Sequence, residues 1–230
     1  MKVVASILIL LSLQLAAKAQ TSFRDDPTTV NESGYFVANS TRGYKVIVAL
    51  IVSNPYENRF ASRPSAQVTL RGADGSVLTS RELNGAGIPP KGVITICETI
   101  TADEKPTRVD VRPLSASYEA TDFKSSEFRP FTLDNVRAKP NDYGYMKVTG
   151  EIRNPFPKQT GVWVCFLFRD KQNKLIGGHK LWKSEVPTGD PIAFEMSIPI
   201  DELPENLGSI EKFVFSHNNY QSSWREILRQ

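Results

Sequence analysis

The residue types that most often serve in catalysis or metal binding are scarce in this sequence. Its two histidines are His179 and His217, and neither has a cysteine, aspartate or glutamate at a metal-ligand spacing. Motifs for a serine nucleophile, a phosphate-binding loop or a zinc site are absent. We therefore expect no catalytic residue, no metal and no cofactor. An enzyme would require the fold to bring a carboxylate to either histidine, and Gly177-Gly178 before His179 predicts a loop there.

The two cysteines, Cys97 and Cys165, lie in different halves of the chain. The strand pattern described below places each on the face that points away from the core of its own domain. A disulfide between them would require the two domains to meet back to back with a demanding geometry. Two free thiols are the favoured interpretation, and an interdomain disulfide is the alternative.

The beginning of the chain has the features of a secretory signal. Lys2 precedes an apolar run over residues 3–13, and Ala17-Lys18-Ala19 fits a cleavage site. We expect cleavage after Ala19 and a secreted or periplasmic protein. Loss of Lys2 and Lys18 lowers the formal net charge from +3 to about +1, which argues against a nucleic-acid partner. We expect no membrane span, since no later stretch approaches the roughly 20 apolar residues that spanning requires.

Cys165 belongs to a predicted strand, Val162–Asp170, that is apolar on both faces. We expect it at the centre of a sheet, because edge or solvated strands alternate apolar with polar residues. Successive side chains point to opposite faces. One face carries Val164, Phe166 and Phe168, and the other carries Trp163, Cys165 and Leu167.

The strand pattern occurs twice along the chain. Val46–Tyr56 and Met146–Phe156 each end in Asn-Pro-aromatic, where proline stops strand pairing. Each is followed at similar spacing by a second strand, a polar turn, a proline-glycine loop and two further strands. The predicted fold is all-β, with two tandem antiparallel β-sandwiches of the immunoglobulin-like or fibronectin-like kind.

Stretches without apolar periodicity set the predicted boundaries. The prediction comprises a signal peptide over 1–19, a flexible arm over 20–33, a first β-sandwich over 34–114, a linker over 115–127, and a second β-sandwich with a short C-terminal helix over 128–230.

Two family resemblances support this organisation. Phe166-Leu167-Phe168-Arg169-Asp170, after the strand over 148–154, resembles the FxLYD domain, a sandwich module of secreted and envelope proteins. Phe168 and Arg169 depart from the leucine and tyrosine of that motif. The first copy resembles the late-embryogenesis-abundant β-sandwich through Asn54-Pro55 and the loop Ile88-Pro89-Pro90-Lys91-Gly92. The resemblances span most of residues 35–217. They imply a fold but little about function, since such folds serve adhesion, assembly and ligand binding alike.

The candidate interaction face comprises Trp163, Cys165, Leu167 and Trp182. The first copy carries polar residues at the equivalent central-strand positions, so the apolar stripe of the second copy requires a cover. One predicted cover is the C-terminal segment over 222–228, which has the capping box and apolar side of a short helix. The other is a partner protein or a second copy of the chain.

These features predict a non-enzymatic secreted or periplasmic interaction or assembly module, with a protein partner or self-association. The alternative is a protein that binds a glycan, another carbohydrate or a small ligand through Trp163, Trp182 or tyrosines near the interdomain groove. An exposed aromatic platform would favour the alternative, whereas tryptophans buried under the tail would remove its basis.

Overall fold

The computed structural model describes residues 23–122, 125–128, 131–157 and 160–216, and it confirms the all-β prediction. Within these residues the strands form five three-stranded antiparallel sheets. Helical structure there is confined to the 3-10 turns Ser125–Glu127 and Ile200–Glu202, so no described helix is long enough to cross a membrane. The predicted signal peptide, His217 and the predicted C-terminal helix lie outside the described residues.

Nine strands build the first sandwich within the described residues: β1 (Phe23–Pro27), β2 (Thr29–Ser40), β3 (Gly43–Ser53), β4 (Arg59–Ser62), β5 (Ser65–Arg71), β6 (Val77–Asn84), β7 (Val93–Ala102), β8 (Arg108–Pro113) and β9 (Ser115–Ala120). Sheets β2-β3-β7 and β6-β5-β8 enclose a core that includes Val48, Leu50, Val68 and Leu70. The sheet β1-β9-β4 adds the buried Tyr118 to this core.

Six strands build the second sandwich within the described residues: β10 (Thr132–Pro140), β11 (Tyr145–Arg153), β12 (Thr160–Asp170), β13 (Leu175–Val186), β14 (Ile192–Pro199) and β15 (Leu207–Ser216). They form the sheets β10-β11-β14 and β13-β12-β15. The core between them includes Val148, Ile152, Val164 and Phe166.

The two sandwiches share one topology. The sheet β2-β3-β7 corresponds to β10-β11-β14, and β6-β5-β8 corresponds to β13-β12-β15. The predicted duplication is therefore confirmed. The predicted central strand is also confirmed, because β12 lies in the middle of its sheet.

The repeated Asn-Pro-aromatic motif makes the same hydrogen bonds in both copies. Asn54 accepts from the backbone N–H of Tyr56 at 3.0 Å and donates to the carbonyl of Ile88 at 3.1 Å. Asn154 accepts from the backbone N–H of Phe156 at 2.9 Å and donates to a carbonyl at the end of β13 at 3.0 Å. Each asparagine thereby ties the strand end to the proline-glycine loop.

Two predicted segments are wrong. The predicted arm over 20–33 contains β1 and the start of β2, and the predicted linker over 115–127 contains β9. Strand β9 pairs with β1 and β4 and buries Ala116 and Tyr118 in the first core. These polar strands are held by pairing with partners far away in sequence, which local apolar periodicity does not reveal.

The sandwiches pack against each other through sheets β2-β3-β7 and β13-β12-β15. Strands β3 and β12 therefore have neighbours on both faces, which explains their long apolar runs. The four main sheets are stacked in layers with the domain interface in the middle. Because the two packed sheets are not equivalent copies, different surfaces of the duplicated fold meet at this interface.

Candidate functional site

The outer face of the sheet β13-β12-β15 carries a row of aromatic side chains. Trp163 on β12 pairs with Trp182 on β13 and with Phe215 on β15. Cys165 and Leu167 follow along β12 on the same face. The residues of the predicted interaction face thus share one surface, as their alternation indicated.

The first sandwich covers part of this face. Cys165 and Leu167 are buried in one cluster with Ala49 and Ile51 of β3 and Cys97 of β7. The prediction that Cys165 and Leu167 belong to an interaction face for another molecule is wrong, because the first domain already buries both side chains. The two covers considered from the sequence, the C-terminal segment and a partner molecule, did not include the first domain. The apolar run in β3 was the available signal, since a second strand apolar on both faces also requires a partner sheet.

Glycines allow the two domains to approach closely. A Cβ atom on Gly34 of β2 would lie 2.1 Å from the carbonyl oxygen of Leu175. A Cβ atom on Gly177, which has a φ of +140°, would lie 2.9 Å from the carbonyl oxygen of Ile47. Larger residues at these positions would force the backbones of β13 and the first domain apart.

Arg169 links the domains at one end of the interface. Its guanidinium donates to both carboxylate oxygens of Glu32 on β2, at 2.9 and 3.0 Å, and its Nε donates to Glu211 at 2.7 Å. The backbone N–H of Leu175 donates to the same Glu32 carboxylate at 3.0 Å. The hydrogen bond from Arg169 lowers the pKa of Glu32, although burial acts in the opposite direction. Sequence reasoning missed this contact because its partners lie far apart along the chain.

His179 lies within β13 rather than in the predicted loop. Its Nε2 is 3.7 Å from a carboxylate oxygen of Glu202 and is buried without a hydrogen-bond partner. Lys45 of the first domain donates to the other oxygen of that carboxylate. Burial lowers the pKa of His179, although Glu202 raises it in part. Among the described residues no group of histidine, cysteine or acidic side chains is arranged to hold a metal ion.

Trp163 and Trp182 mark the solvent-accessible end of the face. Their ring centroids are 5.0 Å apart and their planes are tilted by 52°. Gly161 provides room for the indole of Trp182, since a Cβ atom there would lie 2.3 Å from it. Trp182 is 39% exposed, and Trp163 is half-buried behind it. The pair therefore presents an aromatic surface whose orientation is set by ring packing.

Polar side chains from both domains surround the tryptophans. The Nζ of Lys180 lies 4.9 Å from the ring centroid of Trp163 and donates to Glu98 of β7. Asn84 at the end of β6 lines a cleft of about 50 Å³ beside Trp163. We call this surface the tryptophan site, and it comprises Asn84, Glu98, Trp163, Lys180 and Trp182.

The chemistry of the tryptophan site is that of recognition. The indole rings offer apolar surface and attract cations. Glu98 provides acceptor oxygens, and Asn84 provides both donors and acceptors. Glu98 is paired with Lys180, so the charge of the carboxylate is partly balanced within the site.

Another groove, of about 390 Å³, lies where β2, β8 and β13 meet. Tyr35, Val111 and Lys174 contribute to its lining, whereas the tryptophans do not. The aromatic residues that were predicted at one interdomain groove are therefore divided between two places on the domain junction.

Comparison with known proteins gives no family. No protein-family model matches the chain, and no curated protein sequence is similar to it.

Solved structures show weak likenesses. A calcium-binding mutant of beta-glucuronidase 2 from Bacteroides uniformis is 10% identical with a TM-score of 0.25, over 84% of this chain and 31% of that one. The same enzyme covalently bound to cyclophellitol-6-carboxylate aziridine is 8% identical with a TM-score of 0.22, over 85% of this chain and 32% of that one. This chain therefore spans about a third of the glucuronidase. The N-terminal CBM22-1-CBM22-2 tandem domain of Paenibacillus barcinonensis Xyn10C is 7% identical with a TM-score of 0.23, over 90% of this chain and 89% of that one.

Proposed function

We propose that the protein is a non-enzymatic, secreted or periplasmic interaction module that binds a partner protein at the tryptophan site. The observation that carries the proposal is the packed pair of Trp163 and Trp182, whose outer ring is exposed at the end of an otherwise covered face. Tryptophan is enriched among the few residues that dominate binding energy at protein interfaces.

The packing of the two domains supports this role. The tryptophans belong to the second domain, whereas Glu98 and Asn84 belong to the first. The ion pair between Lys180 and Glu98 crosses the domain boundary within the site itself. A site built from both domains is complete only when they are docked, and docking pre-organises it for binding.

The polar rim favours a glycan as a second candidate ligand. An indole ring can stack on the apolar face of a sugar, while carboxylate and amide groups bind its hydroxyls. Asn84 lines the cleft beside Trp163, and Lys180 at that ring donates to Glu98. The side chains of Asn84 and Glu98 would make such hydrogen bonds.

The test compares Trp182→Ala with Tyr143→Ala. Tyr143 is 85% exposed in the turn between β10 and β11, outside the tryptophan site, so it controls for removal of an exposed aromatic ring. Each purified variant is immobilised and used to capture partners from the extracellular or periplasmic fraction of the source organism. We expect Trp182→Ala to weaken capture by about tenfold or more, as loss of a central interface residue does, and Tyr143→Ala to leave it unchanged.

Glycan binding is measured in parallel by migration of the same variants through gels containing neutral or acidic polysaccharides. Retardation that Trp182→Ala abolishes, without any captured protein, would replace the protein partner by a glycan. Equal binding by both variants in each assay would contradict the tryptophan site as the recognition surface.

A further inference from the structure

Cys97 and Cys165 come from different domains and meet at the interface. Cys97 lies on β7 of the first sandwich, and Cys165 lies on β12 of the second. Both side chains are almost completely buried in the same interdomain cluster, and both line one small cleft. Both cysteines are free in this structure.

The backbone around the thiols is shaped for a close approach. Cys97 faces Gly178 of β13, where a Cβ atom would lie only 3.1 Å from the Cys97 sulfur. The missing side chain lets Cys97 reach the sheet that carries Cys165. The Thr95 hydroxyl is buried without a hydrogen-bond partner, and Thr95 lines the same cleft as both cysteines.

The small cleft of the tryptophan site leads to this pair. It measures about 50 Å³, and its lining includes both cysteines, Thr95 and Lys180. A volume of this size holds only molecules comparable to water. A small peroxide can enter such a cleft, whereas the active site of another protein cannot.

We propose that Cys97 and Cys165 are an oxidation site at which hydrogen peroxide joins the two domains through a disulfide. The modification converts a non-covalent domain interface into a covalent one, directly beneath the tryptophan site.

The electrostatic environment supports Cys165 as the attacking sulfur. Lys180 lies directly opposite Cys165 across the β12–β13 pair. Burial acts to raise the pKa of Cys165, but the neighbouring Cys97 and Thr95 side chains and the positive charge of Lys180 lower it overall. The pKa of Cys97 is raised, first by its interaction with Cys165 and then by burial. One thiolate within the pair is therefore favoured over two.

The reaction balances with one peroxide molecule. The Cys165 thiolate attacks one peroxide oxygen, the O–O bond breaks, and the product is a sulfenic acid together with hydroxide, which takes a proton to become water. The Cys97 sulfur then attacks the sulfenic sulfur, the S–O bond breaks, and a second water leaves as the disulfide forms. Two thiols are oxidised, and the peroxide is reduced to two waters.

The experiment treats the reduced full-length protein with hydrogen peroxide, followed by denaturation, alkylation of remaining thiols and intact-mass measurement. Cys97→Ser and Cys165→Ser are examined alongside the parent protein. We expect the parent to lose both alkylatable thiols and to become lighter by two hydrogen atoms, reversibly with a phosphine reductant. Cys97→Ser should stop at a sulfenic acid on Cys165 that dimedone traps, whereas Cys165→Ser should give much less trapped product.

Formation of the crosslink should also raise the urea midpoint of the parent protein and leave both serine variants unchanged, since only the parent can close the loop. The proposal is overturned if both thiols remain alkylatable under conditions that oxidise a free cysteine peptide. Disulfides that join two chains, or over-oxidation without a crosslink, would also overturn it. None of these readouts depends on the ligand of the tryptophan site.

Discussion

Replacement of Leu167 by alanine tests whether the two domains share a core. Leu167 is completely buried in the interdomain cluster with Ala49, Ile51 and Cys97, and it belongs to the core of neither sandwich. Leucine-to-alanine changes in protein cores cost about 2–5 kcal/mol, with larger losses where the surroundings cannot collapse into the cavity. Strands β13 and β15 pair with β12 on either side of Leu167 and restrict collapse into the cavity. We therefore expect Leu167→Ala to lower the free energy of unfolding by about 3–4 kcal/mol.

Urea and thermal unfolding followed by tryptophan fluorescence measure this loss. For a protein of this size, each kcal/mol lowers the midpoint temperature by roughly 2–4 °C, so a decrease of about 6–16 °C is expected. Val77→Ala is the control, because Val77 is 55% exposed on β6 and an exposed truncation changes stability by about 0.5 kcal/mol or less.

A loss below about 1 kcal/mol for Leu167→Ala would show that the first domain does not cover this face in solution. Ile51→Ala provides a second check from the opposite sheet. Because both side chains belong to one cluster, the double variant should deviate from additivity by at least about 0.5 kcal/mol. Strict additivity would contradict their shared cluster.

Other contacts give further expectations. Arg169→Gln removes the paired hydrogen bonds to Glu32 and should reduce the free energy of unfolding by about 1 kcal/mol. This figure is modest because both carboxylate partners are partly exposed. A loss of the same size in 1 M salt as at low salt would contradict an ionic contribution. Asn154→Ala removes a buried side chain that donates to a carbonyl at the end of β13 and should lower the free energy of unfolding by about 1–3 kcal/mol in urea. A change near zero would show that the Asn-Pro-aromatic motif does not stabilise the fold. His179 has a lowered pKa, so the unfolded state takes up a proton first and stability should fall as the pH drops below about 6.5. His179→Gln should flatten this dependence below about pH 6.5, and an unchanged slope would assign it to other groups.

The domain interface explains how a duplicated chain acquires a new surface. Corresponding sheets do not pack together, so residues at non-equivalent positions of the two copies meet across the domain boundary. Cys97 and Cys165 illustrate this, because the first lies on β7 and the second on β12. The tryptophan site likewise takes side chains from both copies. Non-equivalent packing therefore gives the tandem a site that neither sandwich has alone.

Local pattern was sufficient for the architecture. Alternation in β12 identified which side chains face each way, and the repeated Asn-Pro-aromatic motif revealed the duplication before any contact was known. These features are encoded within about ten residues, because strand side chains alternate with a period of two and proline ends pairing wherever it occurs. The polar strands β1 and β9 were missed for the converse reason, since their stability comes from pairing over a long sequence separation.

The sequence by itself therefore determined the all-β class, the two copies and the apolar outer stripe around Cys165 and Leu167. Only the tertiary structure decided what covers that stripe, which leaves Trp182 exposed and brings two distant thiols together. The physical reason is that an apolar pattern predicts that a face is buried but does not identify the partner that covers it. The hydrophobic effect is non-directional. The choice of partner depends instead on where glycines leave room for the facing sheet and on which charges meet across the two sheets.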